Sequence, residues 1–159
     1  MDRPDHLGQP VISIAVAKLE DAADWAAMRQ ALWPKGNPSV HDADIAQLLA
    51  APGDTINFIA WADDGRPAGF AEAGLRHDYV NGTESSPVAF LEGIYVAPAY
   101  RRTGVARQLV EAVENWARQQ GCGELASDTD LANIPSQKLH DALGFTETQR
   151  VVFFRKVLG

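Results

Sequence analysis

Residues 96–116 read VAPAYRRTGVARQLVEAVENW, and this stretch has the most informative pattern in the chain. It joins the end of an apolar run to a segment whose apolar residues recur at helical spacing on one face. Two adjacent arginines and Gly104 lie at the junction. A helix N-terminus exposes unpaired N–H groups with partial positive charge, so it binds phosphate well where the chain allows close approach. The junction therefore predicts either an anion-binding loop or an ordinary helix start with surface arginines.

The composition indicates a globular chain of one domain. It has 159 residues, of which 46% are hydrophobic and 22% are charged, as in typical soluble domains. We expect the domain to span residues 11–159, preceded by a flexible tail at residues 1–10, which contain two prolines and little apolar content. The net charge of −7 disfavours nucleic acid and weakly favours a cationic ligand, although a solvated acidic surface has the same charge.

Several other classes of protein are disfavoured by the residues present. Cys122 is the only cysteine, so neither an intrachain disulfide nor a cysteine-based zinc cluster is possible. The four histidines show no paired ligand spacing, and we expect no metal. No apolar run is long enough to span a bilayer, and the first ten residues do not resemble a secretory signal. These features predict a cytoplasmic protein without membrane contact.

Periodicity outside the opening stretch predicts alternating strands and helices. The hairpin signal is Asp63-Asp64-Gly65 between two strand-like runs. In chain order, the prediction is a strand at 11–18, a helix at 20–32, a second helix with Ser39 as its N-cap that ends near residues 52–53, hairpin strands at 55–62 and 67–75, an apolar strand at 88–98, the helix of the opening stretch, a short strand within 121–129, a helix from about Pro135 to Gly144, and a last strand at 151–158.

The opening stretch resembles the acyl-CoA loop of the GNAT-fold N-acetyltransferase superfamily, written [R/Q]xxGx[G/A]. Arg101, Gly104 and Ala106 occupy its three defined places. A second block, LHDALGF after Asn133, is similar to the LYEKLGF-like block of the same superfamily. The resemblance implies an α/β GNAT fold, in which helices flank a mixed central β-sheet and an acyl-CoA crevice lies between the two parallel central strands. It also implies acetyl-CoA as cosubstrate.

The same resemblance implies where acetyl-CoA binds. Asn133 should contact the pantetheine arm, and a backbone N–H near Tyr95 or Val96 should polarise the thioester carbonyl. His140 stands where many members have a tyrosine that protonates the departing thiolate, so the general acid is left unassigned. The implied cofactor-binding residues are Tyr95, Val96, Arg101, Arg102, Thr103, Gly104, Val105, Ala106, Asn133 and His140.

Longer segments resemble a narrower group, the aminoglycoside 6′-N-acetyltransferases of resistant bacteria. They are WAAMRQALWP, RHDYVNGTESSPVAFLEGIYV, ASDTDLANIPSQKLHDALGF and RVVFFRK. The resemblance implies acetyl transfer to the 6′-amine of an aminoglycoside by direct attack in a ternary complex, a role in antibiotic resistance, and a homodimer. It leaves open which aminoglycosides are preferred and whether resistance is the native role.

Two acids are the catalytic candidates. Glu92 lies in the strand before the loop and Asp128 at the end of the next strand, and ligands of open α/β sheets collect at such carboxyl ends. An amine attacks only as the free base, so a group must accept its proton. We expect Glu92 to be that base and Asp128 to hold a second ammonium group, although Asp128 is also a candidate base. Trp33 and Tyr79 are candidates to line the sugar site.

Two alternatives remain from the sequence alone. One is a GNAT acetyltransferase that acts on another small amine or on a protein amine. The other is a non-catalytic acyl-CoA-binding module, which the presence of Glu92 and Asp128 disfavours. Thiol release from acetyl-CoA in the presence of an amine distinguishes an enzyme from such a module.

Overall fold

A computed structural model describes residues 11–159, so the predicted tail at residues 1–10 lies outside the described residues. The strands form one five-stranded sheet in the order β1-β2-β3-β4-β5. The first three pairings are antiparallel, and β4 and β5 are parallel. The strands are β1 Ile12–Val16, β2 Thr55–Ala62, β3 Pro67–Arg76, β4 Val88–Val96 and β5 Leu125–Ser127.

Helices cover both faces of this sheet, as the predicted fold class requires. On one face, Trp25 of α1 and Ile45 of α2 pack with Ile59 and Phe70 from the sheet. On the other face, the apolar stripe of α3 packs against residues that include Leu91. The helices are α1 Ala22–Leu32, α2 Pro38–Ala50, α3 Val105–Gln119 and α4 Ile134–Ala142, with short 3₁₀ turns at Leu19–Asp21 and Pro98–Tyr100.

One irregularity in β4 sets the directions of the side chains near its end. Glu72 of β3 pairs with Gly93, whereas the next residue, Ala73, pairs with Leu91. Glu92 is therefore the extra residue of a β-bulge. Leu91 packs in the core under α3, and a Cβ on Gly93 would meet Trp33 on the opposite face. The bulge thus keeps both Glu92 and Gly93 on the α1–α2 face, where strict alternation would place only one of them.

The parallel pairing of β4 and β5 is short. It consists of Ala89 with Leu125, Phe90 with Ala126, and Leu91 with Ser127. In the described part of the chain, β4 continues to Val96 without a β5 partner. The backbone N–H and C=O groups on that side of residues 93–96 therefore have no β5 partner at the carboxyl end of the parallel pair, which is where the predicted acyl-CoA crevice lies.

The predicted start of α2 is wrong by two residues. Asn37, rather than Ser39, is the N-cap, and its Oδ1 accepts a hydrogen bond from the Ser39 N–H at 3.0 Å. Pro38 then occupies the first helical position, where its missing N–H costs no hydrogen bond. Both Asn37 and Ser39 are residue types that cap helices, and Pro38 favours Asn37 because proline is well suited to the first helical position.

The predicted last strand is also wrong. Residues 146–159 form neither helix nor strand, and every residue from Val151 onward is exposed. Phe153 and Phe154 are 90% and 93% exposed. The apolar composition of this segment is typical of a strand, but a strand also needs a partner, and none of residues 11–145 pairs with it. As a result, β5 is the edge strand of the described sheet.

Candidate active site

A cavity of about 660 Å³ opens on the α1–α2 face of the sheet. This volume is within the range of sites for drug-sized ligands. Helices α1 and α2 form its walls, and β3 and β4 contribute acids from the sheet. Its lining includes Arg29, Trp33, His41, Asp44, Glu72 and Glu92.

Trp33, a predicted substrate-binding residue, lines this cavity because Gly93 lacks a side chain. A Cβ on Gly93 would lie 2.5 Å from Cζ2 of Trp33, far inside van der Waals contact. The His41 ring stacks on the indole at a centroid distance of 6.4 Å, and His41 Nε2 lies 3.3 Å from the Trp33 carbonyl oxygen. The indole is therefore held against β4 next to Glu92, where it lines the cavity.

Glu72 is a buried carboxylate in this cavity, with 6% of its surface exposed. Its Oε2 accepts a hydrogen bond from Trp25 Nε1 at 2.9 Å and lies 2.9 Å from Arg29 Nε. The Arg29 N–H is poorly aligned with that oxygen, so the contact is an ion pair rather than a good hydrogen bond. Burial raises the pKa of Glu72 above 4.5, although Arg29 and Trp25 act to lower it.

Arg29 is shared between two carboxylates. Besides Glu72, its Nη1 lies 3.3 Å from Oδ2 of Asp44, and its Cζ lies 5.1 Å from the centroid of the Trp33 ring. The Arg29 side chain is buried and the Asp44 side chain is half-exposed. A single guanidinium thus organises the acids and the aromatic wall on the helix side.

Glu92, the predicted base, lines the same cavity. Its Oε1 accepts a hydrogen bond from Arg76 Nη2 at 2.7 Å, and both side chains are 44% exposed. The Arg76 guanidinium also lies over the Phe90 ring at 3.8 Å. Glu92 is therefore an accessible carboxylate that a cationic ligand can reach by displacing a surface arginine.

The predicted acyl-CoA loop has the geometry of an anion site. Gly104 is the N-cap of α3 with φ 84°, and the space where its Cβ would project is open to 4 Å. The first intrahelical bond runs from the Gln108 N–H to the Gly104 carbonyl at 3.1 Å, which leaves the N–H groups of Val105 and Ala106 directed outward. Arg102 also has a positive φ of 63°, so the loop bends sharply around this end of the helix. These features fit a pyrophosphate.

Arg101 and Thr103 hold this loop in place. Arg101 Nε donates to the Val96 carbonyl at 3.0 Å, and its Cζ lies 6.0 Å from the Tyr95 ring centroid. Thr103 Oγ1 donates to the Tyr100 carbonyl. The loop is thus tied to the end of β4, next to the predicted carbonyl-polarising N–H groups.

The two predicted cofactor residues near α4 both make local contacts. Asn133 is the N-cap of α4, and its Oδ1 accepts from the Ser136 N–H at 3.2 Å. His140 Nδ1 lies 2.7 Å from the Ser136 carbonyl, and Nε2 lies 2.8 Å from Ser127 Oγ. The Ser127 hydroxyl in turn lies 3.2 Å from the Leu91 carbonyl. These contacts connect α4 to the last residue pair of β4 and β5.

The structure does not bring Tyr79 and Asp128 into the α1–α2 cavity. Tyr79 is 74% exposed in the loop between β3 and β4. Asp128 is exposed directly after β5. Asp128 and Glu92 are nevertheless adjacent in register, since each comes one residue after the last parallel pair, Leu91 with Ser127. Their roles stay predictions.

The described residues show neither a metal site nor a membrane-spanning helix. Residues 11–159 contain no group of three or more potential ligands among His, Cys, Asp and Glu that is arranged to hold a metal ion. No helix within the same residues is long and apolar enough to cross a bilayer.

Sequence reasoning missed Glu72, Arg29 and Asp44. The signal was present in the hairpin strand GFAEAGL, where Glu72 is the only charged residue within a buried run. A glutamate is almost never fully buried without a partner, so its position called for a buried cation or a ligand. The partner, Arg29, is far away in the sequence and was not identifiable from local spacing.

Comparison with known proteins shows which family the chain resembles. The profile of the family described as Acetyltransferase (GNAT) family matches residues 19–145. The aminoglycoside N(6′)-acetyltransferase type 1 of Serratia marcescens is 56% identical over 146 residues, which cover 92% of this chain and 99% of that protein. The protein of the same name from Stenotrophomonas maltophilia is 49% identical and covers 92% of this chain and 94% of its own length.

Solved structures show the same likeness. The aminoglycoside 6′-N-acetyltransferase AAC(6′)-Ih from Acinetobacter baumannii superposes with a TM-score of 0.88 and 44% identity, covering 94% of this chain and 100% of that chain. AAC(6′)-Iy in complex with the bisubstrate analogue CoA-S-monomethyl-acetylneamine has a TM-score of 0.86 and 48% identity, covering 93% and 99%.

The raised pKa of Glu72 predicts how stability depends on pH. Because the folded pKa exceeds the unfolded one, the native state holds a proton that the unfolded chain releases above about pH 4.5. Protonation of Glu72 therefore contributes to the free energy of unfolding at low pH, and this contribution is lost as pH rises. The Glu72→Gln variant has no such titrating group, so its free energy of unfolding lacks this pH dependence. Urea denaturation between about pH 4 and pH 7 should show the variant gaining stability relative to wild type as pH rises. A relative loss would mean that attraction to Arg29 outweighs burial.

Proposed function

The chain belongs to the acetyltransferase (GNAT) family, and we propose that it transfers the acetyl group of acetyl-CoA to the 6′-amine of aminoglycosides. Such a reaction inactivates the antibiotic and makes the protein a resistance enzyme. The observation that carries the proposal is the position of Glu92, an accessible carboxylate in a cavity that also contains an indole and further acids. The named relatives, more than 40% identical over nearly the whole chain, support the choice of substrate.

The cavity suits a polyamine sugar in charge and shape. Aminoglycosides are protonated at several nitrogens near neutral pH, so their sites need carboxylates and ring faces. Asp44, Glu72 and Glu92 supply the acids, and Trp33 supplies a ring beside Glu92. We propose that Tyr79 and Asp128 bind the parts of the antibiotic that extend from the cavity toward the β3–β4 loop and the end of β5.

Glu92 acts as the general base, directly or through a water molecule. It accepts a proton from the 6′-ammonium group, and the free amine then attacks the thioester carbon. The C–S bond breaks and releases CoA as a thiolate, which takes up the second proton that the attacking nitrogen loses. Glu92 is the bulged residue that directly follows the last pair of β4 and β5, which supports a position of its carboxylate beside the crevice where these strands separate. The base and the acetyl donor thus meet at one end of the sheet, so the amine can attack the thioester directly and no covalent acyl-enzyme is needed. Burial raises the pKa of the Cys122 thiol, which makes Cys122 a poor nucleophile.

The crevice and the loop hold acetyl-CoA. The pyrophosphate binds at the start of α3, on the N–H groups of residues 103–106 beside Arg101 and Arg102, and the pantetheine arm follows β4 with Asn133 on its other side. A backbone N–H near Tyr95 or Val96 points at the thioester oxygen and stabilises the negative charge that develops there. His140 lies next to this crevice, because its Nε2 contacts the hydroxyl of Ser127 at the end of β5. Because the reaction uses acetyl-CoA, an intracellular metabolite, we also propose a cytoplasmic location.

We further propose that the protein is a homodimer that buries the C-terminal segment. Residues 151–158 carry six exposed apolar side chains, Val151, Val152, Phe153, Phe154, Val157 and Leu158. Their exposure is costly in water, and a contiguous apolar patch usually marks an interaction site. The segment has the composition of a strand, and β5 is an edge strand with unpaired N–H and C=O groups. If this segment pairs as a strand with β5 of a second copy, its apolar side chains become buried and the unpaired backbone groups of β5 form hydrogen bonds.

Thiol release from acetyl-CoA tests the reaction. We expect release with tobramycin and none with paromomycin, whose 6′ position carries a hydroxyl group. Glu92→Gln should lower kcat by about 100-fold or more, because general base catalysis contributes about that much, and should leave acetyl-CoA affinity unchanged. No release with either antibiotic, despite acetyl-CoA binding, would point to another amine or to a binding module. If the Glu92→Gln variant had a normal rate across pH, Glu92 would not be the base, and Asp128 or solvent would have to accept the proton.

Gly104→Trp tests the acyl-CoA loop. The indole should fill the open space at the start of α3 and abolish acetyl-CoA binding, measured by calorimetry. Gly65→Trp is the matched control, since Gly65 has a similar φ of 86° and equally open surroundings but lies in the β2–β3 turn. The control should bind acetyl-CoA normally. Equal affinity of both variants and wild type would refute the loop assignment.

Light scattering at micromolar concentration tests the dimer. We expect twice the mass of the 17.2 kDa chain for wild type. Phe153→Asp/Phe154→Asp, which places two charges in the apolar segment, should give the monomer mass. Glu147→Lys, a change of charge at an exposed residue outside that segment, should leave the wild-type mass unchanged. A monomeric wild type contradicts the proposal.

A further inference from the structure

We propose that Glu72 is the inner ammonium-binding residue of the substrate cavity, which holds a protonated amino group of the aminoglycoside other than the one that is acetylated. The inference rests on the proposed function and adds a specificity-determining residue to it. It depends on three observations: the unequal use of the two Glu72 oxygens, the charges around the cavity, and the rigidity of the carboxylate.

The two oxygens of Glu72 differ in their contacts. Oε2 receives the Trp25 N–H and lies against Arg29. Within residues 11–159, Oε1 receives no hydrogen bond, yet it is not one of the fully enclosed atoms without a partner. Since Glu72 lines the cavity, Oε1 is the atom that borders it. An ionised carboxylate oxygen that has no protein donor and borders a cavity can accept hydrogen bonds from a ligand, and an ammonium group supplies three donors and a charge.

The surrounding charges also favour a cation. Three carboxylates line the cavity, those of Asp44, Glu72 and Glu92. Arg29 is shared between Asp44 and Glu72, and Arg76 pairs with Glu92. Two guanidinium groups therefore face three carboxylates, which leaves one negative charge uncompensated when all are ionised. A bound ammonium group balances that charge and favours the ionised form of Glu72, against the effect of its burial.

The Glu72 carboxylate is held rigidly, as a specificity determinant requires. Trp25 is 1% exposed and Arg29 is 7% exposed, so both partners are fixed by packing. The β3 register opposite the bulge places Glu72 directly across from Gly93, which is one residue after Glu92. The base and the inner acid therefore lie on the same face of neighbouring strands, and a substrate held by Glu72 has its position defined relative to the base.

Glu72→Gln tests this role, because it keeps the shape and the acceptor for Trp25 but removes the charge. We expect paromomycin, which cannot be acetylated at its 6′ position, to bind the variant about tenfold more weakly or worse in calorimetry, since hydrogen bonds to charged groups are among the stronger ones. With tobramycin, KM should rise by a similar factor while kcat changes little. The affinity for acetyl-CoA should not change. Asp44→Asn is the matched control, because this half-exposed acid of the same cavity should matter less, about two- to threefold.

A second variant separates the local effect of the Glu72 carboxylate from the net charge of the cavity and from the stability of the fold. Glu72→Gln alone leaves Arg29 buried without its nearest carboxylate, which can unfold the chain. Arg29→Met/Glu72→Gln removes both charges and leaves the net charge around the cavity as in wild type. We expect the double variant to fold and to bind paromomycin as weakly as Glu72→Gln.

The outcomes distinguish this inference from the proposed function. Wild-type affinity for paromomycin in either variant overturns the role of Glu72, and so does a wild-type protein that does not bind paromomycin at all. Thiol release by wild type with tobramycin decides the proposed function separately. An active wild type with unaltered binding by Glu72→Gln therefore refutes this inference alone.

Discussion

The extra residue in β4 is the constraint on which the site depends. A regular β3–β4 ladder would turn Glu92 and Gly93 to opposite faces of the sheet. The bulge keeps both on the α1–α2 face, where Glu92 borders the cavity and Gly93 makes room for the Trp33 ring. The same distortion comes directly after the last residue that β4 pairs with β5. One local irregularity thus directs Glu92 toward the cavity and leaves room for Trp33. It also lies at the point where β4 and β5 separate.

The buried charges on the helix side depend on a second constraint, the location of Arg29. A guanidinium in the core is tolerated only where acids and ring faces surround it, and here Glu72, Asp44 and Trp33 do so. These contacts connect α1, α2, β3 and the residue after α1. The orientation of the helix pair over the sheet is therefore fixed by polar contacts as well as by the apolar cluster around Trp25 and Phe70.

The parts of the fold that sequence predicted are those that short-range chemistry determines. The hairpin around Gly65, the apolar stripe of α3 and the glycine at its start depend on neighbours within a few residues, and all three are present. Glu92 was identifiable as a candidate because it is an acid in an apolar strand before a recognisable loop. The bulge at Glu92 was not, since it depends on the register of β3, and the Glu72–Arg29 pair joins residues 43 positions apart. The prediction of the last strand was wrong for a related reason: apolar composition favours a strand, but a strand forms only where another strand pairs with it.

The sheet separates two tasks that the enzyme has to perform. The predicted acyl-CoA loop belongs to α3 on one face, and the cavity proposed for the amine is walled by α1 and α2 on the other. Mutations on the inner surfaces of α1 and α2 can therefore reshape which antibiotics are accepted without disturbing the acetyl donor. In evolutionary terms, the resistance spectrum of such a fold can drift under changing drug exposure while the chemistry stays intact, because the two tasks lie on opposite faces of the sheet.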